Sequence, residues 1–162
     1  MGSEEIDDAL LHKITVAERQ YLSLFLSSSF RERFVGRADA GVGITEARVM
    51  WELDARGPMR AGDLAEQVEV TAAAMTKALA RLRDRGLVEQ RADTGDGRAR
   101  VAALTAAGRE RADLLTAEGD RMTRRILEGW SVHERSQFAT LLGRFAVGLQ
   151  EYAQDEGGAQ GS

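Results

Sequence analysis

Apolar residues recur at helical spacing along most of this chain, and the interval from residue 58 to residue 104 departs from that habit in a structured way. Leu64, Ala65 and Val68 form a narrow stripe with polar Asp63, Glu66 and Gln67 around it, which predicts a short amphipathic helix over Ala61–Val68. Glu69 and Val70 make a turn. Thr71 is placed to cap a second helix, its hydroxyl accepting from a backbone N–H that helix geometry leaves unpaired. On that helix Met75, Ala78, Leu79 and Leu82 share one face, while Ala72, Ala73, Thr76, Lys77, Ala80, Arg81 and Asp84 face outward. Gly86 can end it in the left-handed conformation, with Leu87 packing back. Two strands follow, 87–91 and 98–104, and the turn between them holds Gly95 and Gly97, which supply the positive φ a hairpin needs.

Longer helices flank this interval. Ile6, Leu10, Ile14, Ala17, Tyr21, Leu24 and Phe25 give a stripe within a helix expected over 5–36. Thr45 can cap a helix reaching Arg56, with Ala47, Met50 and Leu53 inward. Thr105 opens a long helix to about Glu128, and Ser131 with Glu134 forms a capping box for the last helix. That helix shows Phe138, Leu141, Leu142, Phe145, Leu149 and Tyr152 at three-four spacing. The expected fold is mainly α with a small β-wing. It is one domain over 1–156, a helix-turn-helix with wing at 45–104 between terminal helices at 5–36 and 105–154, and a flexible tail at 157–162. The terminal stripes have no large sheet to cover, so a second copy of the chain is the economical partner.

Two helices, a tight turn and a glycine-tipped basic hairpin read together as a winged helix-turn-helix, and hence as DNA binding. Charge refines that reading. The 162 residues carry a net charge of −4 with 43% hydrophobic residues, which suits one soluble core rather than a generally basic coat protein. From Val70 to Leu104, however, seven positive side chains stand against four negative ones. A local basic face on an acidic protein suits sequence-directed binding better than bulk phosphate coating. The chain has no cysteine, which excludes disulfides, thiolate metal sites and thiol switches. No run approaches a membrane span, and the acidic start does not read as a secretory signal, so a cytoplasmic location is expected. An enzyme is not expected: His12 and His133 are isolated, and Ser27, Ser28 and Ser29 have no adjacent base. Neither a metal nor a cofactor is expected.

Further motifs carry a resemblance. The run Ile44–Leu53, the segments Gly57-Pro58-Met59 and Asp63-Leu64-Ala65, Thr71 through Leu82, Arg85-Gly86-Leu87-Val88, the triplet Asp96-Gly97-Arg98 and the run Leu104–Arg109 together resemble the multiple antibiotic resistance regulator (MarR) family over nearly the whole chain. The resemblance implies a homodimer pairing through the N- and C-terminal helices and reading a pseudo-palindromic duplex. It implies that Thr71, Ala72, Ala73, Thr76 and Lys77 face base edges and phosphates. Ala72 and Ala73 depart from the usual polar pattern and would meet thymine methyl groups. Arg81 or Arg83 would lie nearer the DNA backbone. Asp96 would hold Arg98 for the minor groove, and Arg100 would add a phosphate contact or lie on the solvated face. By the same resemblance, a small aromatic or anionic effector would bind where Tyr21, Phe25, Phe30, Arg48 and Trp51 meet the DNA module. The implied function is a repressor released by that effector. A ligand-independent or architectural regulator, and a winged helix devoted to protein interaction, remain alternatives.

Overall fold

Most of the chain is helical, as its apolar spacing requires. The computed structural model describes residues 7–92 and 99–159. Their order is α1 (Asp8–Leu26), α2 (Ser28–Ala38), α3 (Ile44–Arg56), α4 (Ala61–Val68), α5 (Ala72–Asp84), β1 (Val88–Ala92), β2 (Arg100–Leu104), α6 (Ala106–Ile126) and α7 (Val132–Ala159). Contacts divide the chain into two units, Met1–Gly119 and Asp120–Ser162.

In the first unit, α3, α4 and α5 close around Met50, Leu53, Leu64, Val68, Met75 and Leu82, and the root of the hairpin completes that core through Leu87, Val88, Ala102 and Leu104. A smaller cluster of Ala38, Ala40, Ala47 and Leu115 joins the end of α2, α3 and α6. Strands β1 and β2 pair antiparallel, with Val88 opposite Leu104 and Ala92 opposite Arg100. On the far side of β2, Met59 exchanges both backbone hydrogen bonds with Ala102, at 3.0 and 2.7 Å. Strand β2 is therefore an inner strand at that point. Its residues Val101 to Leu104 are all buried, without the alternation of a strand that has one wet face.

The end of the hairpin is tied to the end of α5. Thr105 donates its hydroxyl to the Gly86 carbonyl at 2.6 Å and its N–H to the Leu87 carbonyl at 3.1 Å. The same hydroxyl accepts the Gly108 N–H at 3.0 Å and so caps α6. Gly86 has φ +68, the left-handed end expected of it. At Gly108 the reason for glycine is space rather than conformation: a Cβ there would stand 2.0 Å from the Leu87 carbonyl oxygen.

Three sequence expectations change. The helix expected over 5–36 is two helices, broken at Ser27, whose ψ of 124° leaves the helical region. Serine favours helix ends over helix interiors, and here the Ser27 hydroxyl pairs with that of Ser29 at 2.9 Å rather than with the backbone. Thr45 does not cap α3. Gly43 occupies that position, and the Glu46 carboxylate accepts its N–H at 2.7 Å. Glycine has no side chain to return the bond. The last helix runs to Ala159, into the segment expected as a flexible tail, because adding residues to an existing helix is far easier than nucleating one.

In the second unit, the capping box of α7 is formed. Ser131 donates its hydroxyl and its N–H to Glu134 Oε2, each at 2.7 Å, and the Glu134 N–H donates to Ser131 Oγ at 3.2 Å. Trp130 meets Phe138 edge-on at 5.4 Å across this first turn.

Gly108→Ala is expected to lower stability by about 2–3 kcal/mol, read as a lower denaturant midpoint at unchanged slope, because the carbonyl it meets is backbone and is already bonded to Thr105. The Ser131 hydroxyl, and then its backbone N–H, hold the Glu134 carboxyl below the ordinary glutamate range. A depressed carboxylate contributes fully above its unfolded value and loses that contribution as pH falls through the lowered one. A carboxyl-detected NMR titration should therefore place Glu134 below a free glutamate, and Ser131→Ala should move it back up.

Candidate nucleic-acid interface

The candidate interface is the outer face of α5, presented by α4. Between them Glu69 adopts φ +56, and the turn closes through the Glu69 N–H to Glu66 O at 3.1 Å and the Val70 N–H to Ala65 O at 3.0 Å. Thr71 caps α5, accepting the Ala74 N–H at 3.2 Å as its sequence position predicts. Met75, Ala78 and Leu82 are buried against the core, which leaves Thr71, Ala72, Ala73, Thr76 and Lys77 exposed together. Ala72 and Ala73 add no bulk beyond a methyl, so the first turn of α5 can approach a surface closely. The Thr76 hydroxyl donates back to Ala72 O at 2.8 Å, which leaves its methyl and its free lone pair for an outside partner.

The positive charge of this region divides by direction. Arg81, expected near a DNA backbone, extends to Glu46 on α3, with Nη1 3.3 Å from Oε1. Arg85 donates from Nη1 to the carbonyl of Gly41, in the corner between α2 and α3. Arg91 is held by its strand neighbour Glu89 at 2.7 Å. Lys77, Arg83 and Arg100 have no carboxylate in ion-pair range among the described residues. Arg100 is exposed at the start of β2, opposite Ala92. Asp96 and Arg98 lie outside the described residues.

Glu46, Gly41 and Arg85 escaped the sequence reading. Glu46 stands three residues after a glycine rather than after a serine or threonine, so it did not register as half of a cap. The partners of Arg81 and Arg85 are 35 and 44 residues away.

Of the residues considered for an effector, three come together. Tyr21 and Phe25 have ring centroids 4.4 Å apart, and Phe25 and Phe30 are 5.1 Å apart across the break between α1 and α2. Arg48 instead donates to the Gln67 carbonyl at the end of α4, at 3.2 Å. Trp51 is 53% exposed on α3. Among the described residues, no group of three His, Cys, Asp or Glu could hold a metal, and no helix is long and apolar enough to cross a membrane.

Comparison with known proteins follows the same outline. The model of the MarR family matches residues 43–99, from the cap of α3 to the base of the wing. The uncharacterized HTH-type transcriptional regulator YdgJ of Bacillus subtilis (strain 168) is 33% identical over 82 residues, a match covering 51% of this chain and 50% of that protein. The chain thus spans about half the length of that curated relative. Among solved structures, a MarR family protein from Bacillus stearothermophilus superposes with a TM-score of 0.70 at 18% identity, covering 85% of this chain and 97% of the other. A substituted MepR from S. aureus bound to an oligodeoxyribonucleotide gives a TM-score of 0.52 at 18% identity, covering 90% and 99%. At these identities the structural likeness is one of fold.

Thr71→Ala should destabilise the protein by about 1 kcal/mol, measured by chemical unfolding, through loss of the cap on α5. Thr71→Ser, which keeps the accepting oxygen, should recover most of it.

Proposed function

We propose that the chain is a MarR-family, sequence-specific, DNA-binding transcription regulator of the cytoplasm, acting as a homodimeric repressor that a small aromatic or anionic effector releases from its operator, a reading supported by the family model's match over residues 43–99. The observation that carries this reading is the capped helix α5, which holds Ala72, Ala73, Thr76 and Lys77 outward on a rigid helix-turn-helix while its other face is sealed in the core. Thr76 and Lys77 read base edges, Ala72 and Ala73 meet thymine methyls, and Arg83 and Arg100 meet phosphates. Asp96 and Arg98, outside the described residues, are the wing residues assigned on resemblance to the adjacent minor groove.

Exposed apolar residues support the dimer. Leu10, Ile14, Tyr21 and Leu24 on α1, and Phe138, Leu141, Leu142, Phe145, Leu149 and Tyr152 on α7, each leave 40% or more of their surface accessible. A soluble chain does not leave so many large apolar side chains in water without a use for them. A second copy, related by a two-fold axis, would cover both stripes and set two α5 helices against two half-sites. The aromatic group of Tyr21, Phe25 and Phe30 supports the effector. Linkage then requires the effector to favour DNA-free protein by the factor that it weakens operator binding.

Sedimentation should show a dimer, and genomic fragments selected by the purified protein should share an inverted repeat whose half-sites are centred about 34–36 Å apart. Lys77→Ala should weaken binding to those fragments by about 1–3 kcal/mol and relax preference at one base pair per half-site. A monomer that retains no duplex in the selection would defeat the regulator reading. A dimer whose operator affinity no aromatic or anionic metabolite changes would make the ligand-independent regulator the better one.

A further inference from the structure

Of the three cations on α5 and the Arg85 that caps its end, two turn back along the protein surface to partners on other elements, though both stay exposed. Arg81 reaches Glu46, which is 7% exposed and also holds the N–H of Gly43. One turn later Arg85 reaches the carbonyl of Gly41. Gly41 lies in the corner joining α2 to α3 and Glu46 in the first turn of α3, and that corner is held from its other sides. Ala38 and Ala40 are buried within it, and Arg111 of α6 donates to Asp39 O at 3.5 Å. Gly41 has φ +66, and a Cβ there would lie 3.1 Å from Arg85 Nη2, so the corner and the arginine are fitted to each other.

We propose that Arg81 and Arg85 are positioning residues that latch α5 onto the α2–α3 corner and so set the register in which α5 meets base pairs, rather than contacts to the DNA backbone. This rests on the reading of α5 as the DNA-reading helix. Met75, Ala78 and Leu82 seat α5 on the core and Thr105 ties down its end, but apolar contact is not directional. Two directed hydrogen bonds from successive turns add an orientation that those contacts do not specify. Glu46 serves both ends: one oxygen starts α3 and the other holds Arg81, so the start of α3 and the pose of α5 are a single setting.

Phosphate contacts and positioning contacts differ in what they do to binding. Removing a phosphate contact weakens all duplexes alike and lowers the slope of log affinity against log salt by about 0.9. Removing a positioning contact lowers the ratio of operator to non-specific affinity and leaves that slope unchanged. The test is fluorescence anisotropy of the full chain, over a salt series, on a selected operator fragment and on a scrambled duplex. Arg81→Ala, Arg85→Ala and Glu46→Gln are each expected to cut the operator-to-scrambled ratio by about tenfold, the order of one charge-assisted hydrogen bond, at unchanged slope. Arg81→Lys should restore most of the ratio, since an ammonium can still reach Glu46. Gly41→Ala, which changes no charge, should reproduce the Arg85→Ala result. Arg83→Ala should instead lower the slope.

A drop in slope for Arg81→Ala or Arg85→Ala would make those side chains phosphate contacts and overturn the latch, as would an unchanged ratio for Glu46→Gln. In either case the regulator reading stands. A wild-type protein that fails to distinguish the two duplexes overturns that reading, and the latch falls with it.

Discussion

The start of α6 passes against the end of α5 at close quarters, and the helix-turn-helix and the base of the hairpin are arranged around that crossing. Where α6 begins, the Cα of Gly108 comes so near the Leu87 carbonyl that a side chain would have no room. Thr105 binds the same place from two directions, through Gly86 and through Leu87. The end of α5, the start of β1, the end of β2 and the start of α6 are thereby brought to one point. Had the crossing been looser, the wing and α5 would be separate features joined by a linker. As built, the end of α5 and the base of the hairpin are joined directly.

Charge is organised by the same logic of direction. An acidic protein needs few outward cations to present a basic face, and this one spends several of those near α5 on its own backbone and carboxylates. Lys77, Arg83 and Arg100 are left facing out among the described residues. On the proposed reading, such a face would leave discrimination to shape and base edges more than to bulk phosphate attraction.

What could be read in the sequence was whatever is decided locally. The caps at Thr71, Thr105 and Ser131, the left-handed end at Gly86 and the apolar faces of α4 and α5 all depend on residues within about four positions, and each stands where the periodicity placed it. The break at Ser27 was hidden because the apolar stripe of α1 leads up to it without a glycine or proline to interrupt the pattern. The cap of α3 was assigned to Thr45 because a hydroxyl is the stronger signal, whereas the structure uses a carboxylate reaching back to Gly43. Arg81 is exposed as helical spacing predicts, but spacing shows which way a side chain leaves the helix and not that its end would reach Glu46, 35 residues away. Arg48 was grouped with the aromatics by the family resemblance, and its guanidinium reaches the Gln67 carbonyl at the end of α4.

Helix α7 has a property that its length disguises. No described side chain from Glu128 to Ala153 is buried, and Gly143 and Gly148 sit within the helix, each weakening it by about 1 kcal/mol relative to alanine. A helix of that composition is marginal in water by itself, so its order is thermodynamically linked to whatever covers its apolar stripe. If that cover is a second copy, helix content becomes a function of dilution. The protein's abundance would then govern how much of it is folded at its C-terminal end, and a cell holding few copies would keep that end closer to a substrate for proteases than to a structural element.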